Sequence, residues 1–128
     1  MRMYFRGELG SGKTTLIRGI LRALGTREKV KSPTYTLVEL YVTSRLNLYH
    51  FDFYRFLDES EFADAGLADY FQGKGVCLVE WPERAGDALP QPDLEFTLAY
   101  SDSGSGRAIT AHAHGPAGKR CLAVCENA

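Results

Sequence analysis

The amino-acid sequence predicts an α/β fold with a mixed β-sheet and with antiparallel hairpins in its C-terminal part. An apolar run, Met3 to Phe5, leads directly into a glycine-rich segment and an amphipathic helix. A second apolar run, Val76 to Val79, has the length of a strand that is buried on both faces. Leu94 to Tyr100 and Ile109 to Ala113 alternate between apolar and other residues around a flexible turn, Ser101 to Gly106, as half-exposed antiparallel strands do.

The first helix is indicated by apolar residues at helical spacing. Ile17, Ile20, Leu21 and Leu24 fall on one face of a helix, and Gly25 is placed to end it. Because the helix begins where the glycine-rich segment stops, the order strand, glycine-rich loop, helix is predicted for the first part of the chain.

Two β-rich segments follow. Tyr35 to Val42 and Leu46 to Phe51 are separated by residues 43–45, which predicts a hairpin with a three-residue connection.

The middle of the chain favours short helices, and the C-terminal end favours one more strand. Asp58 and Glu61 have the spacing of a capping box, which opens a short helix that Gly66 ends. A second helical turn is expected over Leu67 to Phe71, and a last strand over Arg120 to Val124. The length of 128 residues supports one core without a separate lid or substrate domain, so residues 1–128 are predicted to form a single domain.

The glycine-rich segment satisfies every fixed position of the phosphate-loop motif G-x4-G-K-[ST]. It reads G-E-L-G-S-G-K-T over residues 7–14, with a strand before it and a helix after it. Lys13 is expected to bridge β- and γ-phosphate oxygens, and the Thr14 hydroxyl to bind magnesium. Thr15 is expected either to contact the α-phosphate or to cap the helix. A glycine-rich turn whose lysine only faces solvent is the alternative, but it would not explain Gly10 or the Lys-Thr-Thr run.

Phosphate-loop chemistry also needs a carboxylate at the end of a neighbouring strand. Asp52 and Glu80 both occupy such a position. Glu80 ends the more continuously apolar strand, so it is favoured as the magnesium-shell residue or as the base for an attacking water, with Asp52 as the other half of the site. Either one could instead be a surface carboxylate that merely follows a strand. Ser32 to Thr36 carries several hydroxyl groups, and it could be a γ-phosphate-sensing switch or a plain turn.

Composition places few further limits on function. The formal net charge is −1, although residues 1–31 hold eight basic residues against two acidic ones. That basic segment could face a nucleic acid or an acidic partner surface, or it could simply be solvated. Cys77 has the surroundings of a small buried hydrophobic residue, and the Cys121 and Cys125 pair lacks the second pair that a zinc site needs. No apolar run has membrane-spanning or signal-peptide length, so a cytoplasmic protein with reduced thiols and no membrane contact is expected.

Four sequence blocks, taken together, resemble the TsaE family of bacterial ATPases. They are G-E-L-G-S-G-K-T-T, K-S-P-T-Y-T-L-V-E at residues 31–39, Y-H-F-D-F-Y-R at residues 49–55 and L-V-E-W-P-E-R at residues 78–84. The resemblance runs from about Tyr4 to Tyr100. Residues 1–100 are therefore predicted to form the family-like core, and residues 101–128 a C-terminal β-hairpin region.

The resemblance implies an activity and partners. It implies a magnesium-dependent ATPase that associates with TsaB and TsaD and supports threonylcarbamoyl transfer to the adenosine beside the anticodon of ANN-decoding tRNAs. Contact with tRNA would be indirect, through the complex. Members usually carry a further helix and strand before the phosphate-loop strand that help to cover the base, whereas this sequence begins almost at that strand.

The resemblance also implies roles for individual residues. Thr14 and Glu80 match the magnesium positions, Asp52 the essential acidic residue and Thr36 the switch threonine, while Trp81 either shapes the site or is an ordinary buried aromatic. Gly106 falls where the late hairpin of the family approaches the nucleotide. The phosphate-loop positions of the family match Leu9, Gly10, Ser11, Gly12, Lys13 and Thr14.

Two other functions remain open at this stage. A small-molecule kinase would share the phosphate loop but needs a substrate pocket and usually an arginine-bearing lid, and no arginine occurs between Glu59 and Lys74. A non-catalytic module in which ATP organises an interface would also share the loop. A GTPase is disfavoured because the base-reading motif N-K-x-D is absent from the sequence. The preferred hypothesis is that Lys13, Thr14, Asp52 and Glu80 converge on one Mg-ATP site.

Overall fold

The computed structural model describes residues 1–31, 33, 35–101 and 106–126. The described strands are β1 Arg2–Arg6, β2 Val38–Val42, β3 Asn47–Asp52, β4 Val76–Glu80, β5 Leu94–Tyr100 and β6 Arg107–Ala113. The described α-helices are α1 Lys13–Ala23, α2 Ser60–Asp64 and α3 Pro116–Glu126, and short 3₁₀ turns cover Ala68–Phe71, Pro82–Arg84 and Gly86–Ala88. None of these helices combines the length and the apolar character needed to cross a bilayer.

The strands form one mixed sheet in the order β2-β3-β4-β1-β5-β6. The four inner strands run parallel to one another, and each outer strand pairs antiparallel with its inner neighbour, β2 with β3 and β6 with β5. The predicted fold class is therefore confirmed. Because β1, β3 and β4 are parallel, their carboxyl ends share one edge of the sheet, which is where ligands bind in open α/β sheets.

Hydrophobic clusters cover both faces of the sheet, because the strands alternate their side chains. On one face, Phe5 and Leu78 pack with Ile17 and Leu21 of α1. On the other face, Phe51 packs in an aromatic-rich cluster beneath α2 and the turn that follows it. Residues of β3 and β4 therefore point alternately toward α1 and toward the aromatic cluster.

The first helix ends where the spacing predicted. Gly25 has φ +104°, the amide of Gly25 donates to the carbonyl of Arg22, and the amide of Thr26 donates to the carbonyl of Leu21. This pair of bonds is the Schellman motif, which satisfies carbonyls that have no partner inside the helix.

The short α2 begins with the expected capping bonds. The amide of Asp58 donates to Glu61 Oε2 at 2.9 Å, and the amide of Ser60 donates to Asp58 Oδ1 at 2.9 Å. Gly66 follows the helix with φ +71°. The predicted turn at residues 67–71 is present as the 3₁₀ turn Ala68–Phe71.

The predicted strand over Arg120 to Val124 is wrong, because these residues lie in α3. Pro116 opens this helix at a position where a missing amide costs nothing. Gly118 packs so closely against Asp93 that an added Cβ would come within 1.9 Å of the Asp93 carbonyl oxygen. Cys121 and Leu122 pack against the core on the α1 face. The apolar spacing of this segment is therefore helical, and a run of five residues was too short to show it.

The hairpin connection between β2 and β3 is one residue longer than predicted. Residues 43–46 connect the two strands, and the Thr43 hydroxyl accepts a hydrogen bond from the amide of Leu46 at 3.0 Å.

Leu21 on α1 provides a test of this packing. The Leu21 side chain is fully buried, so Leu21→Ala is expected to lower the free energy of unfolding by about 2–5 kcal/mol. Leu24 lies one turn later and is 38% exposed, so Leu24→Ala is the matched control, with an expected loss of less than about 1 kcal/mol. Urea denaturation of both variants measures the difference. Equal losses would contradict the orientation of α1 described above.

Candidate nucleotide-binding site

The phosphate loop connects β1 to α1 at the edge of the sheet where the parallel strands end. Gly7, Gly10 and Gly12 all have positive φ, at +152°, +80° and +102°. A Cβ added at Gly7 would come within 2.6 Å of both the Leu98 carbonyl oxygen and Ser11 Oγ. Glycine is therefore required at this position both by backbone conformation and by space.

Lys13 opens α1 and is almost entirely buried. Its ammonium donates to the carbonyls of Gly7 and Glu8 at 2.5 and 3.0 Å and lies 4.2 Å from the centroid of the Trp81 ring. Burial lowers the pKa of Lys13 below its usual range, and neighbouring carboxylates, of which Glu80 is the strongest, partly offset this effect. The loop thus holds a desolvated cation at the helix N-terminus, where anions bind.

Thr14, Glu80 and His50 form a chain of hydrogen bonds beside the loop. The Thr14 hydroxyl donates to Glu80 Oε1 at 2.8 Å, and His50 Nε2 lies 2.7 Å from Glu80 Oε2. Glu80 is 3% exposed and His50 is completely buried. One buried carboxylate therefore has a partner on each oxygen.

Asp52 ends β3 directly opposite Glu80 at the end of β4, and the two residues are partners in the parallel register. Asp52 Oδ1 accepts a hydrogen bond from the Tyr54 amide at 2.9 Å, and the Asp52 amide donates to the Leu37 carbonyl at 3.1 Å. Leu37 itself has φ +70°, which is uncommon for a residue with a side chain. The register therefore brings the two predicted carboxylates to the same edge of the sheet.

Trp81 follows Glu80 in a left-handed conformation, with φ +57°. Its ring lies 5.0 Å from the Tyr54 ring, centroid to centroid, and the Lys13 and Arg84 cations lie 4.2 and 5.6 Å from its centroid. Trp81 is half-buried: it lines the cleft and also packs against the aromatic-rich cluster.

These residues enclose a cleft of about 380 Å³. Eight predicted site residues line it, and Tyr54 and Trp81 complete the wall. The eight are Leu9, Gly10, Gly12, Lys13, Thr14, Thr15, Asp52 and Glu80.

Three other predicted residues lie outside that lining. Ser11, although part of the phosphate loop, is buried. Thr36 is exposed, and its hydroxyl donates to Glu39 Oε1 at 3.1 Å. Gly106 starts the segment before β6, and its carbonyl accepts a hydrogen bond from the Ser101 amide at 3.0 Å. Ser32 and Thr34 of the predicted switch segment, and residues 102–105 of the predicted flexible turn, are outside the described residues.

The oxygen ligands in the cleft fit a magnesium ion. A hydroxyl and a carboxylate stand side by side at Thr14 and Glu80, and Mg²⁺ prefers such hard oxygen ligands. Within the described ranges, no group of three or more His, Cys, Asp or Glu side chains could hold a metal alone. Mg²⁺ in proteins usually takes one or two protein ligands together with substrate phosphates and waters.

Comparison with known proteins identifies the family. Residues 1–109 match the family model described as "Threonylcarbamoyl adenosine biosynthesis protein TsaE". The chain belongs to the TsaE family. It is 46% identical over 100 residues to the Haemophilus influenzae tRNA threonylcarbamoyladenosine biosynthesis protein TsaE, covering 78% of this chain and 63% of that protein. It is 48% identical over 92 residues to the Bacillus subtilis TsaE protein, covering 72% of this chain and 57% of that protein.

A solved structure shows the same fold. The crystal structure of Bacillus subtilis YdiB superposes with a TM-score of 0.72 at 35% sequence identity, covering 98% of this chain and 74% of that one. The matched part of the chain spans about six tenths of the length of the two curated TsaE relatives named above.

Sequence reasoning missed two contacts that the β5–β6 hairpin makes with the phosphate loop of this TsaE-family chain. Tyr100 and Arg107 are register partners at its end. The Tyr100 hydroxyl donates to the Gly10 carbonyl at 3.2 Å, and Arg107 Nε donates to the Ser11 carbonyl at 3.1 Å. The Arg107 guanidinium also lies 4.1 Å from the centroid of the Tyr100 ring. The hairpin thus binds carbonyl groups of the phosphate loop. Predicting these contacts would have required the long-range pairing that brings the hairpin beside the loop.

Arg107→Ala is expected to weaken nucleotide binding by about fivefold, because loss of roughly 1 kcal/mol of hydrogen bonding loosens the loop backbone. Titration with a fluorescent nucleotide analogue measures the dissociation constant. Arg120→Ala, an exposed arginine on α3, is the control and should bind as the parent does. Unchanged affinity in Arg107→Ala would show that the loop keeps its shape without the hairpin.

Proposed function

We propose that this chain binds Mg-ATP in the cleft and hydrolyses it, with phosphate released into solution. The observation that carries this proposal is the 2.8 Å bond between the Thr14 hydroxyl and the Glu80 carboxylate at the mouth of a phosphate loop. That bond joins the two residue types that hold magnesium in phosphate-loop enzymes.

The triphosphate would lie along the loop. Backbone amides from Gly10 to Thr15 and the positive end of α1 would bind its oxygens, and Leu9 would flank the loop entrance. Lys13 would exchange its carbonyl partners for β- and γ-phosphate oxygens. Since the ammonium is already desolvated, this exchange replaces neutral acceptors by charged ones, and charge-assisted hydrogen bonds are the stronger ones.

We assign Thr14 and Glu80 to the magnesium shell. When bound, the metal would neutralise charge on the β- and γ-phosphates. Glu80 already has a protein partner on each oxygen, so it is suited to holding a fixed position. Asp52 lies beside it at the rim of the cleft, and we assign to Asp52 the orientation of the attacking water.

Two further assignments rest on sequence position. Thr36 would sense the γ-phosphate, and the bond between the Leu37 carbonyl and the Asp52 amide supports this by tying its segment to β3. Gly106 would approach the nucleotide, and its neighbour Arg107, which contacts the phosphate loop, supports this placement.

The family description supports a biological role for the chain. We propose that the chain is the cytoplasmic ATPase subunit of a complex with TsaB and TsaD, and that hydrolysis supports threonylcarbamoyl transfer to tRNA. Contact with tRNA would be indirect. The names of the curated relatives, tRNA threonylcarbamoyladenosine biosynthesis proteins, support this role.

Phosphate release from ATP and Mg²⁺, measured with and without TsaB and TsaD, tests the proposal. We expect slow release by the isolated chain and faster release in the complex. Transfer of phosphate to an added small-molecule acceptor would instead show a kinase. Nucleotide binding without any turnover in the complex would show a nucleotide-gated binding module.

A further inference from the structure

His50 is a buried polar residue beside the cleft to which the proposed phosphate chemistry gives no role. It lies on β3 two residues before Asp52, and its ring is completely buried. Alternate residues of a strand share one face of a sheet, and Leu48 of the same strand packs in the cluster that includes α1. His50 therefore points to the side of the sheet that carries the phosphate-loop helix.

The ring contacts the carboxylate oxygen that Thr14 leaves free. His50 Nε2 lies 2.7 Å from Glu80 Oε2, while the Thr14 hydroxyl takes Oε1 at 2.8 Å. An ionised carboxylate accepts hydrogen bonds on both oxygens, and a second partner restricts its rotation about the terminal bond more than one partner does. Thr14 alone would therefore leave the direction of Glu80 less well defined.

The hydrogen-bond pattern also gives the direction of donation. Among the described residues His50 Nδ1 has no hydrogen-bond partner. A proton on Nε2 lets the ring donate to Glu80, whereas a neutral ring with its proton on Nδ1 would bring a nitrogen lone pair against a carboxylate lone pair and leave a buried donor unmade. His50 is therefore an N–H donor to Glu80.

We propose that His50 is a positioning residue that fixes the Glu80 carboxylate so that Oε1 stays directed at Thr14 and the magnesium shell. This inference rests on the proposed function, because it assumes that Thr14 and Glu80 share one magnesium ion. Residues that orient metal ligands through hydrogen bonds typically change metal affinity or activity by about 10–100-fold when they are replaced. A histidine that only filled the core would be replaceable by an apolar side chain of similar size.

Two variants separate these roles. His50→Gln keeps an N–H donor near the position of Nε2, and His50→Leu removes it while filling a similar volume. His50→Leu is expected to raise the half-saturating Mg²⁺ concentration and to lower kcat by about 10–100-fold. The parent should melt at a higher temperature with ADP and Mg²⁺ than with ADP and EDTA. His50→Leu should lose this difference in melting temperature. His50→Gln should keep most of each property.

A ligand-free measurement tests the contact itself. The free energies of unfolding of His50→Leu, Glu80→Gln and the double variant form a cycle, and coupled residues give non-additive values. Additive values would overturn the proposal. So would a His50→Leu variant with the Mg²⁺ dependence of the parent, or equal losses in the Leu and Gln variants. If the parent neither binds nor hydrolyses ATP while the cycle is non-additive, the proposed function fails and the positioning of Glu80 stands.

Discussion

Lys13→Met is expected to lower the hydrolysis rate by at least about a hundredfold. Removal of one preorganised group that stabilises the charge of the transition state costs about that much in comparable sites. The substitution should also weaken nucleotide binding. At a concentration 100 times the Kd of the parent, Mg-ATP stabilises the parent by about 2.7 kcal/mol, and a variant with a hundredfold weaker Kd gains only about 0.4 kcal/mol. Thermal melts with Mg-ADP or a non-hydrolysable ATP analogue measure this difference.

Methionine is chosen because its length preserves packing against the Trp81 ring, which the ammonium now contacts. Lys119→Met, on the exposed surface of α3, changes the net charge equally and should behave as the parent. A Lys13→Met variant that keeps both the full ligand-induced stabilisation and the turnover of the parent would remove the phosphate-loop assignment of Lys13. A variant that binds normally without turnover would restrict Lys13 to the hydrolysis step.

The central part of the fold was predictable because its patterns are local. The run before the phosphate loop, the spacing of α1 and the apolar run of β4 each depend on a few neighbouring residues, and all three elements are present. The C-terminal helix was not predicted, because its apolar face depends on contacts with the core on the α1 face. Cys121 and Leu122 are adjacent apolar residues, which a strand would also contain, and only their packing against the core shows that they lie on a helix.

The candidate site also combines residues that local patterns predict with residues that only long-range contacts bring in. A loop motif placed Lys13 and Thr14, and strand ends placed Asp52 and Glu80, whose proximity then required only parallel pairing. His50 could have been found as well, since it lies two residues before Asp52 on the same face of β3. Arg107 could not, because its contact with the loop joins residues that are 96 positions apart.

Backbone conformation points to the same edge of the sheet. Within the described ranges Leu37 and Trp81 are the residues other than glycine that have positive φ. One bonds the amide of Asp52, and the other follows Glu80. Strained conformations of this kind persist where the surrounding structure enforces them and are concentrated at functional sites. This supports the assignment of the two carboxylates to one site.

Glu80→Gln is expected to lower kcat by about a hundredfold or more and to raise the half-saturating Mg²⁺ concentration, because the neutral amide is a poor magnesium ligand. The side chain keeps its size and an oxygen that can accept from Thr14. Its NH₂ group, however, replaces the oxygen that accepts from the buried His50 ring. The free energy of unfolding should therefore fall by about 1–3 kcal/mol, the cost of an unsatisfied buried donor. Phosphate release from the complex at graded Mg²⁺ concentrations measures both effects.

Two further variants show what such a loss means. Glu83→Gln removes a half-exposed carboxylate three residues away and should leave the Mg²⁺ dependence unchanged. Asp52→Asn should lower kcat and keep the half-saturating Mg²⁺ concentration, since Asp52 is assigned to the attacking water. If Asp52→Asn shifts the Mg²⁺ requirement and Glu80→Gln does not, the two roles are exchanged. If neither variant loses turnover, the carboxylates at the ends of β3 and β4 hold the fold and hydrolysis depends on groups supplied by the partner proteins.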